Sequence, residues 1–105
     1  MPGSKKKRLK PVHPGEILQD VLEEAGLTVN ALALALRIPP NRIGAIVKGQ
    51  RGITADTALR LARYFRTSPR MWMNLQAKYE LAIAEDSLSD QIEREILPPV
   101  GRLSP

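Results

Sequence analysis

Asn41 and Arg42 stand side by side, ahead of two small residues, Gly44 and Ala45, and a lysine, Lys48. An asparagine amide pairs bidentately with the edge of adenine, and a guanidinium does the same with guanine. Small residues let a helix backbone come close to a surface, and an alanine can touch a thymine methyl group. A lysine one turn further on suits a phosphate. These types in this order fit the reading of a DNA groove, provided that one element presents them together on an outer face.

The flanking residues supply such an element. Leu32, Ala33 and Leu36 recur at three and four residues, which predicts one apolar stripe on a short helix. The pattern breaks at Arg37–Ile38–Pro39 and resumes with Ile43, Ile46 and Val47. Both stripes are buried together only if the two helices cross steeply over a common core. The outer face of the second helix, with Asn41, Arg42, Gly44, Ala45 and Lys48, then points away from the protein. This is helix-turn-helix geometry, with the second helix free to enter a major groove. The same stripes also suit two core helices of an ordinary bundle that binds nothing.

Charge narrows the choice. The 105 residues carry sixteen Lys and Arg against eleven Asp and Glu, for a net charge of +5. Residues 1–70 hold thirteen basic and five acidic groups, whereas residues 71–105 hold three and six. A basic front and an acidic back imply two surfaces for two different partners. With no cysteine and a single histidine, disulfides and Cys or His metal clusters are excluded. No Ser–His or Cys–His pair, phosphate-cradling glycine loop or set of metal ligands stands out, so no catalytic residue, metal or cofactor is expected. The Glu23–Glu24 pair reads as a solvated helix surface. No window approaches the ~18 apolar residues of a membrane span, and the basic start lacks the apolar core of a signal peptide. A cytoplasmic protein is expected.

The remaining segments read as helices with clear punctuation. Residues 1–12, with five basic groups, form a flexible basic arm that suits phosphates or a minor groove, or serves only as a solubilising tail. A first helix opens at His13–Pro14–Gly15–Glu16, with His13 in a capping position and Pro14 at the first helical position. It buries Ile17, Leu18, Val21, Leu22 and Ala25, and Gly26 stops it. Thr28 caps the second helix, Pro39–Pro40 opens the third and Gly49 ends it. Thr54 caps a fourth helix with Ala58, Leu61, Ala62 and Phe65 inward. Ser68–Pro69 starts a fifth, running to about Asp86. Tyr64 and Tyr79 fall within apolar patterns and are expected in the core. The fifth helix has two stripes, Trp72, Leu75, Tyr79 and Ile83 on one side and Met73, Ala77, Leu81 and Ala84 on the other. One stripe suffices for packing within a chain, so the second asks for another chain. A sixth short helix is expected over 87–97 through Leu88, Ile92 and Ile96, ahead of a disordered end. The fold class is therefore all-α, with five helices, a sixth at the C-terminus and no sheet. Its organisation is a basic arm over 1–12, a helical domain over 13–86, and a short helix and tail over 87–105.

The front half resembles the Cro/λ-repressor-like (XRE) helix-turn-helix domain. HPGEIL at 13–18, ITADTALRLARYF at 53–65 and MWMNLQAKYEL at 71–81 resemble a HigA-type antitoxin. The likeness spans about residues 12–84. It implies a dimer that binds its own palindromic operator in double-stranded DNA, and a partner toxin, a RelE-like ribonuclease of HigB type that cleaves mRNA on the ribosome. Two departures stand out. The turn position usually held by Gly is Arg37, which must then take up a left-handed backbone or use another turn. The head of the recognition helix, often Ser or Thr, is Pro39–Pro40, so side-chain capping is lost there.

On this resemblance Pro40, Asn41, Arg42, Gly44 and Ala45 lie against the groove. Lys48, Gln50 and Arg51 meet phosphate at the helix end and loop. Thr28 and Asn30 contact the other strand's backbone from the head of the second helix. Met73, Ala77, Leu81 and Ala84 form the homodimer interface. The acidic back half (Glu80, Glu85, Asp86, Asp90, Glu93 and Glu95) is expected to face a basic ribonuclease. Two other readings remain open: a stand-alone repressor with no toxin, and an RNA- or ribosome-associated adaptor using the same fold.

Overall fold

Five helices in chain order make up the fold, and each begins at a residue suited to start it. The computed structural model describes residues 10–101. Most of the basic arm expected over 1–12, and the last four residues of the end expected to be disordered, lie outside the described residues.

Helix α1 spans Pro14–Ala25. The His13 ring caps it, its Nδ1 accepting from the Gly15 N–H at 2.8 Å. Gly26, at φ 69°, ends it in the left-handed region. Helix α2, Val29–Leu36, starts under Thr28, whose Oγ1 accepts from the Ala31 N–H at 3.0 Å. Helix α3, Pro40–Val47, has Pro40 at its first position and no side-chain cap. Helix α4, Ala55–Phe65, is capped by Thr54, and helix α5, Pro69–Glu95, by Ser68.

Arg37 resolves the first departure from the family pattern. Its backbone is left-handed, at φ 61° and ψ 42°, and its N–H closes the end of α2 onto Ala33 and Leu34 carbonyls. The turn therefore keeps its usual shape without glycine, at a cost of about 1 kcal/mol for the crowded Cβ. Arg66 ends α4 in the same way, at φ 61°.

Leu18, Leu32, Ile43, Ile46 and Leu61 are fully buried at the centre, with Trp72 of α5 closing one side. Trp72 keeps its indole N–H satisfied by donating to Thr67 Oγ1 at 2.8 Å. Helix α3 packs on both α1 and α2, and α5 lies against α4 and α1. At one crossing the backbones touch. A Cβ on Gly15 would lie 1.9 Å from the Ile46 carbonyl oxygen, so the head of α1 rests directly on the end of α3.

Three expectations change. Ala25 is exposed, because apolar spacing gives a direction but no neighbour reaches the last turn of α1. Tyr64 is 43% exposed, standing edge-on to Phe65 on the outer side of α4 instead of in the core. The residues expected to form a separate sixth helix continue α5 to Glu95. Ser87 sits inside the helix and turns its hydroxyl back to the Ile83 carbonyl at 3.1 Å. That back-bond satisfies the group without breaking the turn. At 27 residues α5 is about 40 Å long, and no helix among the described residues is long and apolar enough to cross a membrane.

Candidate nucleic-acid interface

Burial of Ile43 and Ile46 fixes how α3 is turned. Asn41 and Lys48 are then exposed, and Arg42, Gly44 and Ala45 are half-buried along the outer side. A Cβ on Gly44 would meet nothing within 4 Å, so the helix has a bare stretch of backbone there. Pro40 is exposed at the head of α3. Pro39 contributes only its carbonyl, which accepts from the Arg42 N–H at 3.0 Å.

Thr28 and Asn30 are exposed at the start of α2. The Thr28 oxygen is taken by the Ala31 N–H, but its hydroxyl hydrogen is left to donate, as a phosphate requires. Gln50 and Arg51 are exposed in the loop between α3 and α4. Helix α2 packs against α3, and the α3–α4 loop follows α3 directly, so these exposed groups sit on adjoining elements, with Arg42, Lys48 and Arg51 among their cations.

What holds this surface in place was not singled out from the sequence. Gln76 of α5 is buried, and its Oε1 accepts from the Ile53 N–H at 2.8 Å. Its Nε2 donates to Glu80 at 2.8 Å. A Cβ on Gly52 would lie 2.7 Å from the Gln76 amide, so the loop backbone comes close to the tether there. The available signal was a glutamine four residues after Trp72, in line with an otherwise apolar stripe. Gly15 and His13 are further supports. His13 is buried between Gly49, at the end of α3, and the ring of Tyr79, 4.7 Å away edge-on.

Arg60 links the front of the domain. Its Nη1 donates to the Leu36 carbonyl at 2.8 Å and its Nε to Asp56 at 2.6 Å. That hydrogen bond holds the Asp56 carboxyl below the usual carboxylate range. Slight desolvation opposes the shift, and the charges of Arg60 and Arg42 add to it. Arg42 therefore sits in the field of a carboxylate that is itself pinned to the end of α2.

On α5, Ala77 is exposed and Leu81 is 63% exposed, while Met73 and Ala84 are half-buried. Glu85, Asp86, Asp90, Glu93 and Glu95 are exposed along the distal half. The acidic groups and the arginine- and lysine-bearing surface thus belong to different elements.

A family model described as Helix-turn-helix (HTH_3) matches residues 18–72. Virulence-associated protein I of Dichelobacter nodosus is 52% identical over 81 residues, covering 76% of this chain and 75% of that protein. Among solved structures, an addiction module antidote protein of a HigA family from Coxiella burnetii is 46% identical, with a TM-score of 0.82. It covers 87% of this chain and 100% of that one. The Pseudomonas aeruginosa antitoxin HigA, solved with the higBA promoter, is 50% identical with a TM-score of 0.84, over 87% of this chain and 100% of that one.

Proposed function

Because the chain belongs to the helix-turn-helix family HTH_3, among HigA-type antitoxins, we propose that it represses its own operator as a homodimer and neutralises a RelE-like, HigB-type ribonuclease toxin in the cytoplasm. The observation that carries the DNA reading is the outer side of α3. It combines a bidentate reader of adenine, Asn41, and of guanine, Arg42, with the bare backbone at Gly44. Lys48, Gln50 and Arg51 grip phosphate beside it, and Thr28 and Asn30 anchor the opposite strand through the head of α2. Pro40 and Ala45 fill the groove wall with apolar surface. A relative solved with its promoter supports the same use of the fold.

The dimer rests on the stripe Met73, Ala77, Leu81 and Ala84, which α5 leaves largely uncovered. A two-fold dimer reads an inverted repeat with half-sites about one helical turn, roughly 34 Å, apart or a multiple of it. The toxin docks on the acidic side of α5, where Glu80, Glu85, Asp86, Asp90, Glu93 and Glu95 match a basic ribonuclease.

Fluorescence anisotropy on labelled DNA from the chain's own promoter region tests the first half. Saturable binding to one inverted repeat, resistant to unrelated competitor DNA, is expected; equal binding to every duplex would refute it. Co-purification with the product of the adjacent reading frame tests the second. If deleting residues 85–105 leaves toxin capture intact, the acidic end of α5 is not the docking element.

A further inference from the structure

Between α1 and α5 the chain leaves a groove that its own described side chains do not fill. Its volume is about 430 Å³, within the range that small ligands occupy. Three elements wall it. Ile17 comes from α1, Leu75, Tyr79 and Ala82 from successive turns of α5, and Val12 from the segment that leads into α1. Ile17, Leu75, Tyr79 and Ala82 are only half-buried, and Val12 is 52% exposed. Apolar surface is therefore left facing the gap.

The dimer proposed above does not cover this surface. With 3.6 residues per turn, Leu75, Lys78, Tyr79 and Ala82 fall within an arc of about 100°, and Met73, Ala77, Leu81 and Ala84 lie on the opposite side of the helix. The charges along the groove have one sign. Lys10 and Lys78 line it and are exposed, and among the described residues no Asp or Glu lines it. A cationic ligand would meet two ammonium groups, and a polyol would set its hydroxyls against hydrocarbon without partners. An apolar body with an anionic end satisfies both the walls and the lysines. From Leu75 to Ala82 the wall runs about 10 Å, the length of an extended chain of about eight to ten carbons.

We propose that this groove binds a free, unbranched monocarboxylate of that length, with its hydrocarbon along Leu75, Tyr79 and Ala82 and its carboxylate paired with Lys78 and Lys10. Occupancy reaches the DNA-reading helix through one ring. Tyr79 stands edge-on to His13 at 4.7 Å. His13 in turn caps α1 through the Gly15 N–H and lies against Gly49 at the end of α3. A ligand that moves the Tyr79 ring shifts that seat, so the carboxylate and the operator each alter the other's affinity. This coupling rests on the DNA reading above, whereas the site does not.

Isothermal titration calorimetry on the full chain without DNA tests the site, with sodium decanoate below micelle formation as the probe. Decanoate should saturate at one per chain, acetate should not bind, and decyltrimethylammonium should bind far more weakly. Lys78→Glu, a change at an exposed position, should weaken decanoate several-fold and favour the cationic amphiphile. Ala82→Phe should fill the groove and abolish binding. Equal binding of the two amphiphiles, or decanoate binding that survives both substitutions, overturns the site. Phosphatidylglycerol vesicles, which offer acyl chains under an anionic surface, should not compete; competition would make a membrane the occupant and overturn the free acid. Anisotropy on the operator then reads the coupling. Saturating decanoate should change the affinity several-fold in the parent and leave Ala82→Phe unaffected. An unchanged parent affinity overturns the coupling and leaves the site standing. Failure to bind the operator in the absence of decanoate refutes the DNA reading alone.

Discussion

Two glycines, one wedged against the inner side of α3 and one on its open outer side, should respond in opposite ways to the same added methyl group. At Gly15 the new Cβ would lie 1.9 Å from the Ile46 carbonyl oxygen and 2.8 Å from its carbon. Ordinary contact requires about 3.4 Å, so α1 and α3 must part by more than an ångström, and the neighbour is backbone that cannot rotate away. Such overpacking costs about 1–3 kcal/mol, against a helix-propensity gain of at most about 1 kcal/mol. Gly15→Ala should therefore be less stable, with an α3 displaced from its seat. At Gly44 the methyl meets nothing within 4 Å. Gly44→Ala should gain about 0.5–1 kcal/mol, raising the melting temperature of a chain this size by a few degrees. If α3 lies backbone-first against base edges, that methyl falls between helix and DNA, and operator affinity should drop about fivefold or more, equivalent to about 1 kcal/mol. Urea denaturation followed by anisotropy on the operator reads both quantities. A Gly44→Ala protein that is more stable and binds DNA as tightly as the parent would refute the close approach. A Gly15→Ala protein with unchanged stability would refute the contact between α1 and α3.

Arg42→Ala should cost roughly 1–3 kcal/mol and relax preference at one or two base positions, whereas Lys48→Ala or Arg51→Ala should weaken all sequences alike and flatten the salt dependence; titrations of a mutated operator set at several salt concentrations separate the two. Gln76→Ala leaves the buried Ile53 N–H without its acceptor and should cost about 1–3 kcal/mol in denaturation, with faster hydrogen exchange at Ile53 than in the parent. Asp56 is held below the usual range by Arg60, so its ionised form supports the fold at neutral pH and that support fades as pH falls through the lowered value. Asp56→Asn should therefore soften the loss of stability below about pH 4, and an acid limb identical to the parent's in pH-dependent melting would count against the pairing.

Local punctuation made most of this fold legible. Thr28, Thr54 and Ser68 each have an oxygen at the one place where a helix start needs an acceptor, and Pro14, Pro40 and Pro69 each take the first helical position. Gly26 and Gly49 mark ends because only they take the left-handed backbone without strain. The outer side of α3 was readable for a related reason, since burying Ile43 and Ile46 leaves no freedom in where Asn41 and Arg42 point. The supports of the surface were hidden because they act across the chain. Gln76 bonds to a residue 23 positions away, and nothing in its neighbourhood announces that partner. The Gly15 contact depends on how close two backbones come, which no spacing encodes. The break expected between Asp86 and Ser87 is absent because a mid-helix serine can fold its hydroxyl back onto the preceding turn, leaving the helix continuous.

The Gln76 tether has a thermodynamic corollary. One amide group joins α5 to the α3–α4 loop, so displacement of α5 at that level pulls on the backbone that carries Arg51. Where two ligands bias one shared element, each alters the other's binding by the same factor. A protein that grips α5 near Glu80 would then set how tightly the promoter is held, and the promoter would in turn set how tightly that protein is retained. Replacing Gln76 would weaken that link, because Ile53 and Glu80 both lose their partner. One hydrogen bond of 2.8 Å would then decide whether occupancy at one end of the molecule is information at the other.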